Sequence, residues 1–155
     1  MKNATCHICG YQNEIPDGQA CLCALCGTDL ATPKLEITLL EDTRSATFAT
    51  ADNMKTLGME AHIYLTDKRL IIIPTKLQGL GLTGLLTAVV CNNMASGLSL
   101  FSIPYENMKS VRDGKFGLLV KALIVDTTDG ELVKIKVSKR DEWKEAITKA
   151  IHALR

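Results

Sequence analysis

Between residues 61 and 66 apolar and polar side chains alternate, with Ala61, Ile63 and Leu65 on one face and His62, Tyr64 and Thr66 on the other. A period of two predicts a strand with one buried face. Leu70, Ile71, Ile72 and Ile73 follow as a β-branched run ended by Pro74, which predicts a second strand. Asp67-Lys68 sits where the turn of a hairpin between them belongs. Upstream, residues 44–51 read as an earlier strand, with Ala46, Phe48 and Thr50 on one face, and residues 35–40 as another. Downstream, residues 100–103, 108–112, 116–126 and 131–137 are predicted strands. Asp113-Gly114 and Asp129-Gly130 have the composition of tight hairpin turns. In the last strand Glu131, Val133, Ile135 and Val137 alternate with Leu132, Lys134 and Lys136.

The chain ends in a different period. Trp143, Ile147, Ala150, Ile151 and Leu154 form one apolar stripe at helical spacing, and Lys139, Arg140, Glu142, Lys144, Glu145 and Lys149 take much of the other face. Ser138 is placed as the N-cap, with Asp141 three residues on approximating a capping box. About seven strands followed by one amphipathic helix predict an α+β fold. In it, a curved antiparallel sheet is closed at its open end by the helix.

Three segments carry a family resemblance: His62-Ile-Tyr-Leu-Thr-Asp-Lys-Arg-Leu-Ile-Ile-Ile73, then Ile103-Pro-Tyr-Glu-Asn-Met-Lys-Ser-Val111, and Asp141-Glu-Trp143 leading into the helix. Over residues 43–155 the chain resembles bacterial GRAM and pleckstrin-homology (PH)-like domains. The resemblance implies a PH-like fold of a kind that binds lipids, peptides or nothing known. The chain departs from the phosphoinositide-binding pattern. Basic residues cluster in the first inter-strand loop of such domains, whereas residues 52–60 here hold one lysine, Lys55, against Asp52 and Glu60.

A separate module precedes this. Five of the six cysteines lie within residues 6–26, in two matching C-x-x-C-G segments, Cys6-His7-Ile8-Cys9-Gly10 and Cys23-Ala24-Leu25-Cys26-Gly27. Two residues between cysteines let both sulfurs face one ion while neighbouring N–H groups face the sulfurs. The glycine lets the chain turn back with positive φ. Two such turns supply four thiolates for tetrahedral Zn2+. A segment of this length cannot build its own core, so metal would supply its folding energy, about 10–16 kcal/mol for structural zinc. The expected ligands are Cys6, Cys9, Cys23 and Cys26, in a closed site that resembles a zinc ribbon. Cys21 is left over, and His7 is expected to face solvent. The expected organisation is a zinc ribbon over 1–33 and a GRAM/PH-like domain over 34–155.

Residues 77–105 run without a charge and contain Gly79-Leu80-Gly81-Leu82-Thr83-Gly84. That hexapeptide matches a dinucleotide loop, but such a site needs a βαβ unit, and antiparallel strands follow instead. A membrane span would place strands of one sheet on opposite sides of a bilayer. In the resemblance, residues 75–99 are an insertion between strands three and four. Three roles fit this apolar insertion: a short helix over 81–94 packed on the sheet, a helix buried against a second copy of the chain, or a segment dipping into a membrane interface. Leu80, Leu82, Leu85, Leu86 and Val89 are the expected membrane or partner contacts.

Charge and composition narrow the function. The formal net charge is +1, and becomes −1 once four thiolates hold one divalent ion. Residues 1–33 carry −2 and residues 34–155 carry +3. Nucleic-acid contacts need basic residues, so a nucleic-acid-associated zinc ribbon is the less favoured reading. A redox switch using Cys21 is a further alternative. The start Met-Lys-Asn-Ala-Thr-Cys lacks the basic and apolar regions of a secretory signal. That points to a reducing, cytoplasmic setting with peripheral membrane contact as an option. His7, His62 and His152 have no carboxylate or nucleophile beside them in sequence, and Cys91 lies in an apolar run. No catalytic set emerges. The expectation is a non-enzymatic binding or adaptor module for a protein partner or a membrane surface, with self-association possible.

Overall fold

The computed structural model describes residues 2–15, 22–31, 36–50, 58–75 and 101–154. Two short strands, β1 (Lys2–Thr5) and β2 (Gln12–Ile15), pair antiparallel across the first cysteine turn, with Thr5 opposite Gln12. Then come β3 (Thr38–Asp42), β4 (Thr47–Ala49), β5 (Met59–Thr66), β6 (Arg69–Pro74), β7 (Phe101–Pro104), β8 (Met108–Phe116), β9 (Val120–Thr127), β10 (Leu132–Lys136) and a helix, α1 (Arg140–Ala153). Among the described residues these strands form one antiparallel sheet, in the order β7-β6-β5-β4-β10-β9-β8, with β3 also paired to β5. The long β5 takes β3 along its second half and β4 along its first. β4 then hands over to β10, so one curved sheet turns back on itself.

Alternation places the core as expected. Ile63, Leu65, Leu70, Ile72, Leu123, Val125, Val133 and Ile135 face inward. Trp143, Ile147 and Ile151 of α1 close that core from the open end. The β5–β6 turn falls at Asp67-Lys68 and the β9–β10 turn at Asp129-Gly130, where Gly130 has φ +88°. Tyr105 lies in a short 3-10 turn after β7, and its hydroxyl donates to Thr66 O. Burial pushes that phenol up to about 12.

Two expectations are corrected. Asp113-Gly114 is not a turn: β8 runs through it, with Asp113 opposite Leu123 and Gly114 opposite Ala122, and the chain reverses at Gly117-Leu118-Leu119. Gly114 is needed for space, because a Cβ there would stand 2.6 Å from Ile124 Cδ1. Asp113 accepts from Arg140 and Lys144 of α1. Ser138 is not the N-cap either. The helix begins after Lys139, whose φ is +56°, and no side chain caps it.

Ser138 gives its backbone N–H to Asp42 Oδ2 at 2.8 Å instead. The buried Asp42 also accepts from the N–H groups of Arg44 (3.1 Å) and Ser45 (3.3 Å) where the chain bends between β3 and β4. One carboxylate therefore fixes the strand corner and the start of the C-terminal segment. Burial pushes its pKa up, but the N–H groups of Ser138, Arg44 and Ser45 outweigh this and hold it below the usual carboxylate range.

The apolar insertion at residues 75–99 falls between β6 and β7. Apart from Thr75, it lies outside the described residues, as do Leu80, Leu82, Leu85, Leu86 and Val89. Cys21 and Cys91 lie outside them too. Among the described residues no helix is long and apolar enough to cross a membrane.

Asp42→Asn keeps the shape and removes the charge. It is expected to lower the unfolding free energy by about 1–3 kcal/mol at neutral pH, read by urea unfolding. A carboxyl held below its unfolded value stabilises fully above pH ~4, and that contribution is lost as pH falls through the folded value. The gap between the two chains should therefore close in acid. A gap that persists near pH ~2 contradicts this role for Asp42.

Candidate metal centre

The two knuckles are built alike. Cys6 N donates to Tyr11 O and Cys23 N to Thr28 O, both at 2.8 Å. Gly10 N donates to Cys6 O and Gly27 N to Cys23 O, both at 2.9 Å. Gly10 and Gly27 have φ of +77° and +75°, the left-handed conformation that glycine adopts without penalty. Each C-x-x-C-G therefore folds into a loop whose two sulfurs point the same way.

The four sulfurs of Cys6, Cys9, Cys23 and Cys26 lie within 4.8 Å of one another. Cys6 Sγ is 3.6 Å from Cys26 Sγ, and Cys9 Sγ is 3.6 Å from Cys23 Sγ. A tetrahedron with metal–sulfur bonds of ~2.3 Å has edges of about 3.8 Å. The donor set fits a metal ion of that size with little adjustment.

Polar groups around the sulfurs suit thiolates. Ile8 N donates to Cys6 Sγ at 3.4 Å, Asn13 Nδ2 reaches Cys23 Sγ at 3.6 Å, and Thr28 Oγ1 is 2.9 Å from Cys26 Sγ. Asn13 is buried and does more. Its Nδ2 donates to Tyr11 O and its Oδ1 accepts from Ala24 N at 2.8 Å, so it ties the first hairpin to the second knuckle. Hydrogen bonding within the cluster, with Cys23 first, holds the Cys6 thiol far below its ordinary range. Cys23 is lowered to about 7, chiefly by Cys26. Cys9 and Cys26 are pushed far up, each chiefly by Cys23. Four negative sulfurs this close repel one another, so all four protons leave only against a cation.

The cluster does not stand alone. Cys6, Ile8, Cys23, Leu25 and Cys26 form one apolar cluster with Tyr64, Ile71 and Ile73 from the outer face of β5 and β6. Burial is the first cause that pushes the Tyr64 phenol up to about 12. The sheet thus has an apolar core on both faces at this point. Ile71 and Ile73 are fully buried, and covering two such side chains is worth about 3–6 kcal/mol as an upper figure. The uninterrupted run 70–73 carries this signal in the sequence: four apolar residues in a strand need cover on both sides.

Arg69 fastens the rim. Its Nε donates to Glu36 Oε1 at 2.8 Å, Nη1 to Cys26 O at 2.9 Å and to Ser102 Oγ at 2.8 Å, and Nη2 to Thr28 Oγ1 at 3.0 Å. Glu36 also accepts from Thr66 Oγ1 at 2.8 Å. No motif pointed to Glu36 or Asn13, and the resemblance that includes Arg69 gave it no role at the cysteines. Lys68-Arg69 reads as a solvated hairpin end, and only folding brings Cys26 beside it. His7 is exposed as expected, with Nε2 3.0 Å from Glu36 O. The other histidines lie elsewhere, His62 on β5 and His152 on α1.

No protein-family model matches the chain, and no curated protein matches it. Among solved structures the Vps36 N-terminal PH domain is similar, with a TM-score of 0.52 at 16% identity, over 78% of this chain and 83% of that one. The fold is PH-like. A crystal structure of the C-terminal domain of an unknown protein from Leishmania infantum also aligns, with a TM-score of 0.48 at 16% identity, over 78% of this chain and 91% of that one. The cysteine cluster packs on this sheet through Tyr64, Ile71 and Ile73.

Arg69→Ala leaves Glu36 without its ion pair and Cys26 O without its donor. Its expected cost is about 3 kcal/mol, because the pair is largely buried. Arg69→Lys should recover only part, since an ammonium cannot span the same fork. Thermal unfolding of the metal-loaded chains reads this. Equal stability of the alanine variant and the native chain would remove Arg69 from its role as fastener.

Proposed function

We propose that the chain is a non-enzymatic binding or adaptor module whose shape depends on one structural Zn2+. Residues 1–33 act as a zinc ribbon, with Cys6, Cys9, Cys23 and Cys26 as the ligands. Residues 34–155 act as a GRAM/PH-like domain that engages a protein partner or a membrane surface. The observation that carries this is the set of four matched sulfurs within 4.8 Å, packed directly on the PH-like sheet.

The donor chemistry favours zinc, since four thiolates in a tetrahedron suit zinc or an iron–sulfur centre, and four sulfurs within 4.8 Å of one another suit a single ion. Four sulfurs complete the coordination sphere and leave no position for a water nucleophile. That is the reason for assigning the site to structure rather than catalysis. Free thiols that bind metal imply a reducing compartment, which supports a cytoplasmic setting.

Purified protein is expected to hold one zinc per chain, with an X-ray absorption signature of four sulfurs at ~2.3 Å. Cys26→Ser should lower zinc affinity strongly and destabilise the chain. Acid should release the metal, because protons compete for the thiolates. Protein isolated with neither zinc nor iron, and unable to take up zinc under reducing conditions, would contradict the proposal.

A further inference from the structure

The β8–β9 hairpin ends in an unusual tip. Phe116 pairs with Val120, and the three residues that reverse the chain are Gly117, Leu118 and Leu119. Turns of this kind normally carry Gly, Asn, Asp or Ser. Here Gly117 supplies the left-handed position with φ +64°, while Leu118 and Leu119 stand 72% and 91% exposed. Val120 beside them is 40% exposed. This is a convex apolar cap, not a groove.

Its base is basic. Lys115 and Lys121 are directly opposite one another in the register. Like charges so placed disfavour a hairpin. Among the described residues neither lysine is held in an ion pair, and no acid lies between Gly114 and Val125. The nearest acids are engaged, Asp113 with Arg140 and Lys144, and Asp126 with Arg112. The hairpin end therefore presents two leucines at the apex and two exposed lysines one step behind.

The base of the tip is packed against its neighbours. Lys134 on β10 is 1% exposed, donates to Lys115 O at 2.6 Å, and stands 5.2 Å from the centre of the Phe116 ring. Gly58 lies close to Phe116, where a Cβ would come within 3.3 Å of the ring. Met59, also exposed, follows at once. The apex thus projects beyond a packed base.

We infer that the β8–β9 tip is a membrane-contact site, with Leu118 and Leu119 entering the interface of an anionic phospholipid bilayer and Lys115 and Lys121 meeting the headgroups. An apolar wedge with a cationic collar matches a bilayer interface in depth order: apolar groups inside, ammonium groups at the phosphate level. A protein surface complementary to this tip would need an apolar hollow ringed by acids. A bilayer rich in anionic lipid supplies both features without a shaped partner. The inference rests on the reading of the chain as a binding module and names its partner.

The test is flotation of the zinc-loaded full chain with vesicles of phosphatidylcholine alone and of phosphatidylcholine with phosphatidylserine. The native chain is expected to float with the anionic vesicles, and more weakly as salt is raised. Leu118→Ser with Leu119→Ser should lower the partition coefficient at least about tenfold, and Lys115→Gln with Lys121→Gln also about tenfold on anionic vesicles. All four side chains are exposed in the described structure, and zinc content with far-UV circular dichroism confirms that each variant is folded. Flotation that the leucine variant leaves unchanged overturns the tip as the contact while leaving the binding-module reading intact. Failure of the native chain to float with either vesicle overturns the membrane assignment. A dimer in a mass measurement that the leucine variant abolishes gives the tip to a second copy of the chain, and overturns it as well.

Discussion

The outer face of β5 and β6 is the surface on which the rest depends. Tyr64, Ile71 and Ile73 would be exposed apolar groups on a bare PH-like sheet. Cys6, Ile8, Cys23, Leu25 and Cys26 would be a handful of apolar side chains with nothing to pack on. Together they form one buried cluster. The cysteine segment is too short to make a core from its own residues, and the sheet cannot leave that face in water without cost. Each completes the other, and the four sulfurs are gathered at their junction.

Electrostatics then fixes the junction. Arg69 stands where its guanidinium reaches a carboxylate on the approach to β3, a carbonyl and a hydroxyl of the second knuckle, and a serine of β7. Thr28, which takes one of those bonds, also touches Cys26 Sγ. A change at the sulfurs is therefore two contacts away from the β5–β6 turn. Asp42 plays the matching part across the sheet, gathering three backbone N–H groups from two distant segments.

Much of the fold was legible because the physics was local. Alternation at 61–66 and 131–137 reports directly on which side chains face the core. The stripe from Trp143 to Ile151 reports on the helix in the same way. The two C-x-x-C-G segments announced their loops because positive φ at Gly10 and Gly27 is a local demand. What could not be read needed tertiary partners. Asp113-Gly114 looks like a turn until Ile124 is placed over Gly114. Ser138 looks like a cap, but the helix starts one residue later, after Lys139 in the left-handed conformation. Lys134, on the polar side of the alternation, is buried because Lys115 O and the Phe116 ring receive it. The second role of Ile71 and Ile73 was encoded in the unbroken run 70–73, but its cover comes from residues more than forty positions earlier.

Because the core is shared, a metal held by the four cysteines would matter to the sheet as well as to the cysteine segment. Hydrogen exchange on the full chain, with zinc bound and after chelation under reducing conditions, tests this most directly. Removing the metal is expected to raise exchange in β1, β2 and both knuckles, and also along β6, where Ile71 and Ile73 lose their cover. β9, β10 and α1, which pack on the other core, should keep their protection. Loss confined to the cysteine segment, with β6 unchanged, would contradict a core shared between the two.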